Sequence, residues 1–254
     1  MDEPPLEIEE ADPPEDPDVS IVIPIYNEEG ILSASVADLT EKLANDPDWD
    51  YSYELILTEN GSTDATVEVA RNLMERHPEL RLLHTEEPDY GLALRRGIHA
   101  ARGTYVIGDE IDLCDTDFYR EAMALLSDGS HDLVVGSKAL RDSSDKRPFY
   151  RRLATKVLNG LFRVFLGFKG TDTHGLKAFR RETLLPVVDS CLVNKDLFAS
   201  EFVIRAERMD VEMTEIPLTV VEKRKPSINL FARVPNVLKN LGRLVWHIRL
   251  RNQS

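Results

Sequence analysis

Cysteine is nearly absent from this chain, and long apolar runs are missing altogether. Cys114 and Cys191 are the two thiols in 254 residues, and neither has a second ligand at metal-binding spacing. Neither a disulfide framework nor a zinc site is expected, and the pair suits a reducing cytosol. No apolar stretch approaches the roughly 20 residues that a spanning helix needs, and the N-terminus has no signal-peptide pattern. The expectation is a protein in solution or one held peripherally at the cytosolic face of a membrane. Positive charge is also scarce: 31 Lys and Arg stand against 45 Asp and Glu, a net charge of −14. So acidic a body does not suit a non-specific nucleic-acid binder, whose affinity comes from neutralising phosphates. A Gly-rich, Lys-bearing phosphate loop is missing after the first strand pattern, which disfavours a nucleotidyltransferase.

The charge that is present is unevenly spread. Residues 1–18 hold nine acids, no base and almost nothing to bury, the pattern of a disordered acidic tail. After Glu222 there are eight Lys or Arg and no acid, interleaved from Phe231 onward with Leu, Val and Trp246. Residues 226–254 therefore read as a basic amphipathic helix suited to a membrane interface or to docking on the domain.

The chemistry centres on Gly103–Asp117, GTYVIGDEIDLCDTD. Thr104–Ile107 reads as a buried strand, and Asp109, Glu110, Asp112, Asp115 and Asp117 crowd just beyond it. Such carboxylates repel one another unless a cation sits among them. Glu110 and Asp112 are two apart, and extended backbone would point both side chains the same way. Two hard oxygen ligands suit Mg²⁺ or Mn²⁺ and leave room for phosphate oxygens. Asp115 or Asp117 also suits the cap of the next helix.

Around this stretch, strand and helix patterns alternate. Val19–Pro24 is a strand stopped by proline, followed by a turn and a helix over 30–44. Tyr53–Thr58 is a second strand, and Glu59–Asp64 a turn with Ser62 a plausible helix cap. Leu80–His84, a helix over 90–102 and the strand at 104–107 complete a parallel α/β unit. Its polar loops, carrying Asn27 and Glu28, Glu59 and Asn60, and Glu110 and Asp112, open on one edge. Ligands in open α/β sheets bind beyond the carboxyl ends of the strands. Taken singly, Asn27 and Glu28 equally suit a helix cap, and ENGSTD a plain turn.

VSIVIPIYNEE, ELILTENGSTDAT, YGLALRRGIHAARGTYVIGDEID and DLVVGSK occur in the order and spacing of family 2 glycosyltransferases. The resemblance covers roughly residues 19–225 and implies a GT-A (Rossmann-like) α/β fold, a mostly parallel central sheet flanked by helices. Within the family the chain is most similar to polyprenyl-phosphate (dolichyl-phosphate) mannose and glucose synthases, through GSK, RRLATKVLN, DTHGLKAF and FASEFVIRAERMDVEMTEIPLTVVEKR. The resemblance implies that Pro24, Tyr26, Asn27 and Glu28 border the base and ribose, and that Glu59 and Asn60 replace the usual Asp-Asp pair. Glu110-Ile111-Asp112 stands at the metal-binding Asp-x-Asp. Lys138, Arg151 and Thr155 would hold a lipid phosphate, with Lys223 in a loop over the phosphates. Asp112, Asp172 and Arg151 are the residues expected to act in catalysis. His174 suits either a donor contact or a solvated loop position, and Glu201 either orients a basic residue of the acceptor site or is a first-turn acid.

Taken alone, residues 149–165 read as a surface helix with solvated arginines; beside the resemblance, their pattern suits an anionic acceptor. Arg151, Thr155 and Asn159 recur at i, i+4 spacing and make one polar stripe, preceded by a basic loop. The implied reaction is inverting transfer of a hexose from GDP-mannose or UDP-glucose to a polyprenyl phosphate. Two alternatives stay open: transfer to a sugar hydroxyl, and a nucleotide-sugar-binding module that has lost catalysis.

Overall fold

The computed structural model describes residues 7–85, 88–140, 143–145, 148–220 and 230–251. In chain order the elements are β1 (Glu7–Glu10), β2 (Val19–Ile25), α1 (Leu32–Asn45), β3 (Tyr53–Asn60), α2 (Thr66–Met74), β4 (Leu80–Thr85), α3 (Tyr90–Ala100), β5 (Tyr105–Gly108) and α4 (Thr116–Ser127). Then follow β6 (Leu133–Ser137), β7 (Ser144–Asp145), α5 (Phe149–Leu166), β8 (Lys177–Arg180), α6 (Arg181–Ser190), α7 (Phe198–Arg208), β9 (Met213–Pro217), β10 (Thr219–Val220) and α8 (Leu230–Leu244). A π-helical segment, Val245–Arg251, extends α8.

Eight strands form the central sheet in the order β1-β4-β3-β2-β5-β8-β6-β9. The apolar residues alternate between its two faces because successive strand residues point to opposite sides. Ile21, Ile23, Leu55, Leu57 and Ile107 enter one core, which α1, α2 and α4 close with Leu32, Val36, Leu39, Ala70 and Phe118. Val22, Ile56, Val106 and Val135 enter the other, closed by Leu94 and Ile98 of α3, Phe162 of α5, Val187 of α6, Phe202 of α7 and Leu241 of α8.

The parallel pairs are β2 with β3 and β5, β3 with β4, and β6 with β9. β8 is the exception that shapes the site. It lies between β5 and β6 and runs antiparallel to both, with Lys177 opposite Gly108. The amino end of β8 therefore meets the carboxyl ends of β2, β3, β5 and β6 on one edge.

Several expectations need correction. The acidic tail is not wholly disordered: Glu7–Glu10 adds an antiparallel strand to β4, with Glu10 opposite Arg81. Its carboxylates find arginines far along the chain. Glu9 accepts from Arg71 at 2.7 Å, and Glu10 accepts from Arg81 at 2.9 Å and Arg102 at 2.9 Å. Charge pairing and ladder bonds, rather than apolar burial, hold the segment.

Pro24 does not stop β2, which runs on to Ile25. Val22 O accepts from Asp109 N at 3.0 Å, so the edge groups of residue 22 face β5. Two residues on, Pro24 faces the same way, where β5 has ended and no donor is needed. Ser62 is not a helix cap; α2 starts after Ala65 without a side-chain cap, and Ser62 Oγ instead accepts from Asn27 N at 2.9 Å. Asp115 does cap α4, accepting from Phe118 N at 3.1 Å.

The C-terminal helix is partly docked. Leu241, Leu244 and Ile248 are buried in the second core, while Val234, Leu238 and Trp246 are exposed. Asn236 and Asn240 hook it to Asp196 and to Lys195 O. No helix among the described residues is long and apolar enough to cross a membrane.

Candidate active site

The loops after β2 and β3 are tied together by their own polar groups. Asn27 takes a left-handed backbone (φ 54), its Oδ1 accepts from Thr63 N at 2.8 Å, and Glu28 N donates to Thr66 Oγ1 at 2.7 Å. Asn60 is buried, and its Nδ2 donates to Ile25 O at 2.8 Å, locking the end of β3 to the end of β2. Glu59 is fully buried. One of its oxygens accepts from Ser62 N at 2.5 Å and the other meets His84 Nδ1. The pair Glu59-Asn60 thus braces the ends of β2 and β3, and Tyr26 and Asn27 stand half-buried beside it. Pro24 lies within the strand below them.

The acidic stretch after β5 is a turn, not extended backbone. Leu113 N and Cys114 N both donate to Glu110 O, at 2.9 and 3.3 Å, so Glu110 and Asp112 share a helical-type turn. Glu110 is exposed and Asp112 half-exposed. Behind them Asp109 is buried, accepting from Tyr119 OH at 2.6 Å and Glu110 N at 2.5 Å. Burial pushes the Asp109 carboxyl up to about 7 against the hydrogen bonds from Tyr119 OH and Glu110 N, and the Glu110 charge adds to the rise. No group of three His, Cys, Asp or Glu suited to a metal occurs among the described residues. Two carboxylates on one turn are oxygen donors only, a set that fits a hard divalent cation sharing its sphere with phosphate oxygens.

Opposite this turn, Lys138 and Asp172 meet. Lys138 N donates to Asp172 Oδ2 at 3.2 Å, its Nζ lies 3.8 Å from the same oxygen, and Nζ also donates to His174 O at 2.9 Å. Asp172 is fully buried, which alone would raise its pKa. The Lys138 and His174 charges and the backbone donors nevertheless hold it below the usual carboxylate range. The His174 ring sits between Thr173 Oγ1 at 3.0 Å and Ser200 Oγ at 3.5 Å, which anchors this loop to α7. Close approach fixes the local sequence: a Cβ on Gly175 would fall 1.4 Å from Gly136 O at the end of β6.

Sequence reasoning missed Lys177. As the first residue of β8 it is buried, and its Nζ donates to Gly175 O at 2.8 Å. Burial and the charge of Lys138 lower its pKa to about 8, while Asp172 and Glu110 act the other way. These influences place Glu110, Lys138, Asp172 and Lys177 in one electrostatic cluster. The available signal was a lysine heading an otherwise apolar strand, KAF, next to the DTHG loop.

α5 packs beside this cluster through Asn159, which is buried and donates to Thr171 O at 2.8 Å. Thr155 and Arg151 lie one and two turns nearer its start, at the i, i+4 positions of the same helix. Glu201, by contrast, orients no residue of this cluster. It is fully buried, accepting from Leu192 N, Val193 N and Arg205 Nε, so it braces the loop before its own helix. Lys223 lies outside the described residues.

A parallel sheet with an inserted antiparallel strand, and a carboxylate turn beyond its central strand facing a lysine–aspartate pair, is the architecture of a GT-A nucleotide-sugar transferase. The sequence pattern described as "Glycosyl transferase family 2" matches residues 20–188, and the chain belongs to that family. It is 29% identical over 237 residues to glycosyltransferase AglD of Haloferax volcanii, covering 92% of this chain but 38% of that protein. It is 26% identical over 269 residues to the dolichyl-phosphate beta-glucosyltransferase of Dictyostelium discoideum, covering 95% of this chain and 80% of the relative. The fold is shared with glucosyl-3-phosphoglycerate synthase from Mycobacterium tuberculosis in complex with UDP (TM-score 0.62, 23% identity, 90% of this chain and 80% of that one). It is shared also with mannosyltransferase PcManGT from Pyrobaculum calidifontis in complex with GDP-Man and Mn2+ (TM-score 0.54, 24% identity, 84% and 60%).

Proposed function

We propose that this chain transfers a hexose from a nucleotide-sugar to a polyprenyl phosphate. The observation that carries the reading is the meeting of two kinds of group on one sheet edge. The Glu110–Asp112 turn, with Lys177 near it, suits a nucleotide diphosphate with its cation, and Lys138 beside Asp172 suits a second anion.

The edge formed by the β2 and β3 loops takes the nucleoside, with Tyr26, Asn27 and Glu28 on it and Glu59 and Asn60 bracing it. Glu110 and Asp112 would hold Mg²⁺ or Mn²⁺, which when bound offsets charge on the diphosphate leaving group. Lys177, beside Glu110, adds a fixed positive charge to the same region. Lys138, Arg151 and Thr155 receive the acceptor phosphate, and Lys223, outside the described residues, is assigned to the same role. A phosphate monoester is mostly dianionic near neutral pH, its second pKa being about 6, so it needs positioning rather than deprotonation. Attack from the side opposite the leaving group inverts the anomeric carbon.

Asp172 supports this choice over a hydroxyl acceptor. A general base needs a pKa near the working pH and a free oxygen within reach of the hydroxyl. Asp172 is buried, acidic and already accepting from Lys138 N and His174 N, so it serves to position Lys138. The Dictyostelium and Drosophila relatives are named dolichyl-phosphate beta-glucosyltransferases, which supports glucose as the transferred hexose. Membrane attachment through the C-terminal helix, at the cytosolic face, belongs to the same proposal.

The test is transfer of radiolabel from UDP-glucose and from GDP-mannose to polyprenyl monophosphate, in the presence of Mn²⁺ or Mg²⁺. Label extracted into organic solvent from one donor supports the reading. Transfer only to a neutral sugar overturns it.

A further inference from the structure

Thirteen large hydrophobic residues are strongly exposed among the described residues, and nine of them lie on two touching helical segments. Six belong to α5: Phe149, Tyr150, Leu153, Val157, Val164 and Phe165. Three belong to α8 and its extension: Val234, Leu238 and Trp246. We infer that the outer face of α5, with the exposed side of the C-terminal helix beside it, is the surface that lies on an anionic lipid bilayer.

The helical spacing makes α5 two-faced in an unusual sense. Phe149, Leu153, Val157 and Val164 fall within one narrow sector at 100° per residue, and they are 71%, 48%, 55% and 68% exposed. Leu158, Leu161, Phe162 and Leu166 fill the opposite side and pack on the core. The helix thus carries an apolar face inward and a second apolar face outward, over about 27 Å of length. A contiguous exposed apolar strip of this size marks an interaction surface rather than ordinary scatter.

Charge selects the occupant. α5 carries Arg151, Arg152, Lys156 and Arg163 and no acid. The segment from Leu230 to Arg251 carries Arg233, Lys239, Arg243, Arg249 and Arg251 and no acid. The rest of the protein is strongly acidic, so these are the two elements an anionic surface attracts while it repels the remainder. Apolar residues bordered by cations, with a tryptophan among them, suit the headgroup boundary of a bilayer. α5 and the 245–251 segment touch each other and share one core, so the two exposed faces belong to one end of the molecule.

This inference rests on the polyprenyl-phosphate reading and deepens it. The stripe holding Arg151, Thr155 and Asn159 lies on the same helix as the apolar strip, and Asn159 is bonded to the Thr171 carbonyl beside Asp172. A phosphate whose tail stays in the bilayer would then reach the cluster across a single helix.

The experiment is flotation of the full chain with phosphatidylcholine vesicles containing phosphatidylglycerol, paired with two activity assays. The variants are Leu153→Glu/Val157→Glu and, as a control on another exposed apolar residue, Met209→Glu. Melting temperature confirms that both fold. The double variant is expected to lose at least tenfold in vesicle partition and in turnover of vesicle-borne polyprenyl phosphate. It keeps turnover of a water-soluble short-chain isoprenyl phosphate, and Met209→Glu behaves as wild type. Equal flotation of double variant and wild type overturns the inference, as does wild type that fails to float. A wild-type dimer that the double variant converts to monomer also overturns it, in favour of a second copy. Flotation that depends on Leu153 and Val157, with no phosphate acceptor ever glycosylated, supports the surface while the acceptor reading falls.

Discussion

Lys138 reaches Asp172 twice, through its backbone N–H at 3.2 Å and its ammonium at 3.8 Å, and both hold the same carboxylate oxygen. The contact joins the end of β6 to the loop that leads into β8. It fixes one of the two lysines at the site and leaves Asp172 little freedom to act on protons.

Asp172→Asn keeps the side chain's size and removes the charge that holds Lys138. Its amide also sets a donor against Lys138 N. Turnover is expected to fall on the order of 100-fold, the scale of losing one preorganised electrostatic group. The bell-shaped pH limb of a general base should be absent in wild type. A wild-type rate that rises with a carboxylate pKa and vanishes in the variant would restore Asp172 as a base.

Asp112→Ala tests the carboxylate turn. The half-exposed side chain contributes little packing, so the melting temperature should hold or rise as local repulsion is relieved. Turnover should drop by roughly 100-fold or more, and stabilisation of the fold by Mn²⁺ with nucleotide should disappear. Full activity in this variant with chelator present contradicts the assignment.

Burial of Asp109 carries a pH signature. Its pKa is raised from 3.8 to about 7, so the folded state binds a proton more tightly than the unfolded chain. Stability of the metal-free protein should therefore fall as pH rises from about 4 to 7, by up to roughly 4 kcal/mol. Asp109→Asn should flatten that slope in urea titrations at several pH values. An unchanged slope would show that the carboxyl is relieved by another contact.

The N-terminal strand rests on a buried ion pair. Arg81 bonds Glu54 at 2.7 Å and Glu10 at 2.9 Å, and Glu54 is fully buried with a further bond from Ser20. Arg81→Ala leaves Glu54 without its cation and should cost about 3–5 kcal/mol. Urea denaturation measures it; a loss below about 1 kcal/mol would mean that Ser20 and the Arg102 amide satisfy Glu54 alone.

What the sequence made legible followed from local period and local chemistry. The alternation of strand and helix, the three loops on one edge and the i, i+4 stripe of α5 need only neighbours in the chain. The features that escaped depend on distant pairing. Lys177 enters the site because β8 slots backwards between β5 and β6, and nothing within KAFR announces that partner. The sequence around β1 suggests disorder because its acids have no local base; Arg71, Arg81 and Arg102 lie 62 to 92 positions away. The turn at Glu110–Cys114 is hidden in the sequence because spacing alone does not report the bonds to Glu110 O. Lysine and aspartate were each visible as Lys138 and Asp172, yet their contact was not.

The most direct test of the account is the split of kinetic constants in Arg151→Ala, measured with nucleotide-sugar and polyprenyl phosphate varied in turn. If Arg151 holds the acceptor phosphate, the acceptor KM should rise on the order of 10- to 100-fold, the worth of one charged hydrogen bond. The donor KM should stay within about twofold, since the proposed nucleotide site lies on the loops after β2 and β3. An acceptor KM that does not move, or a donor KM that rises in step with it, would contradict the placement of the acceptor along α5.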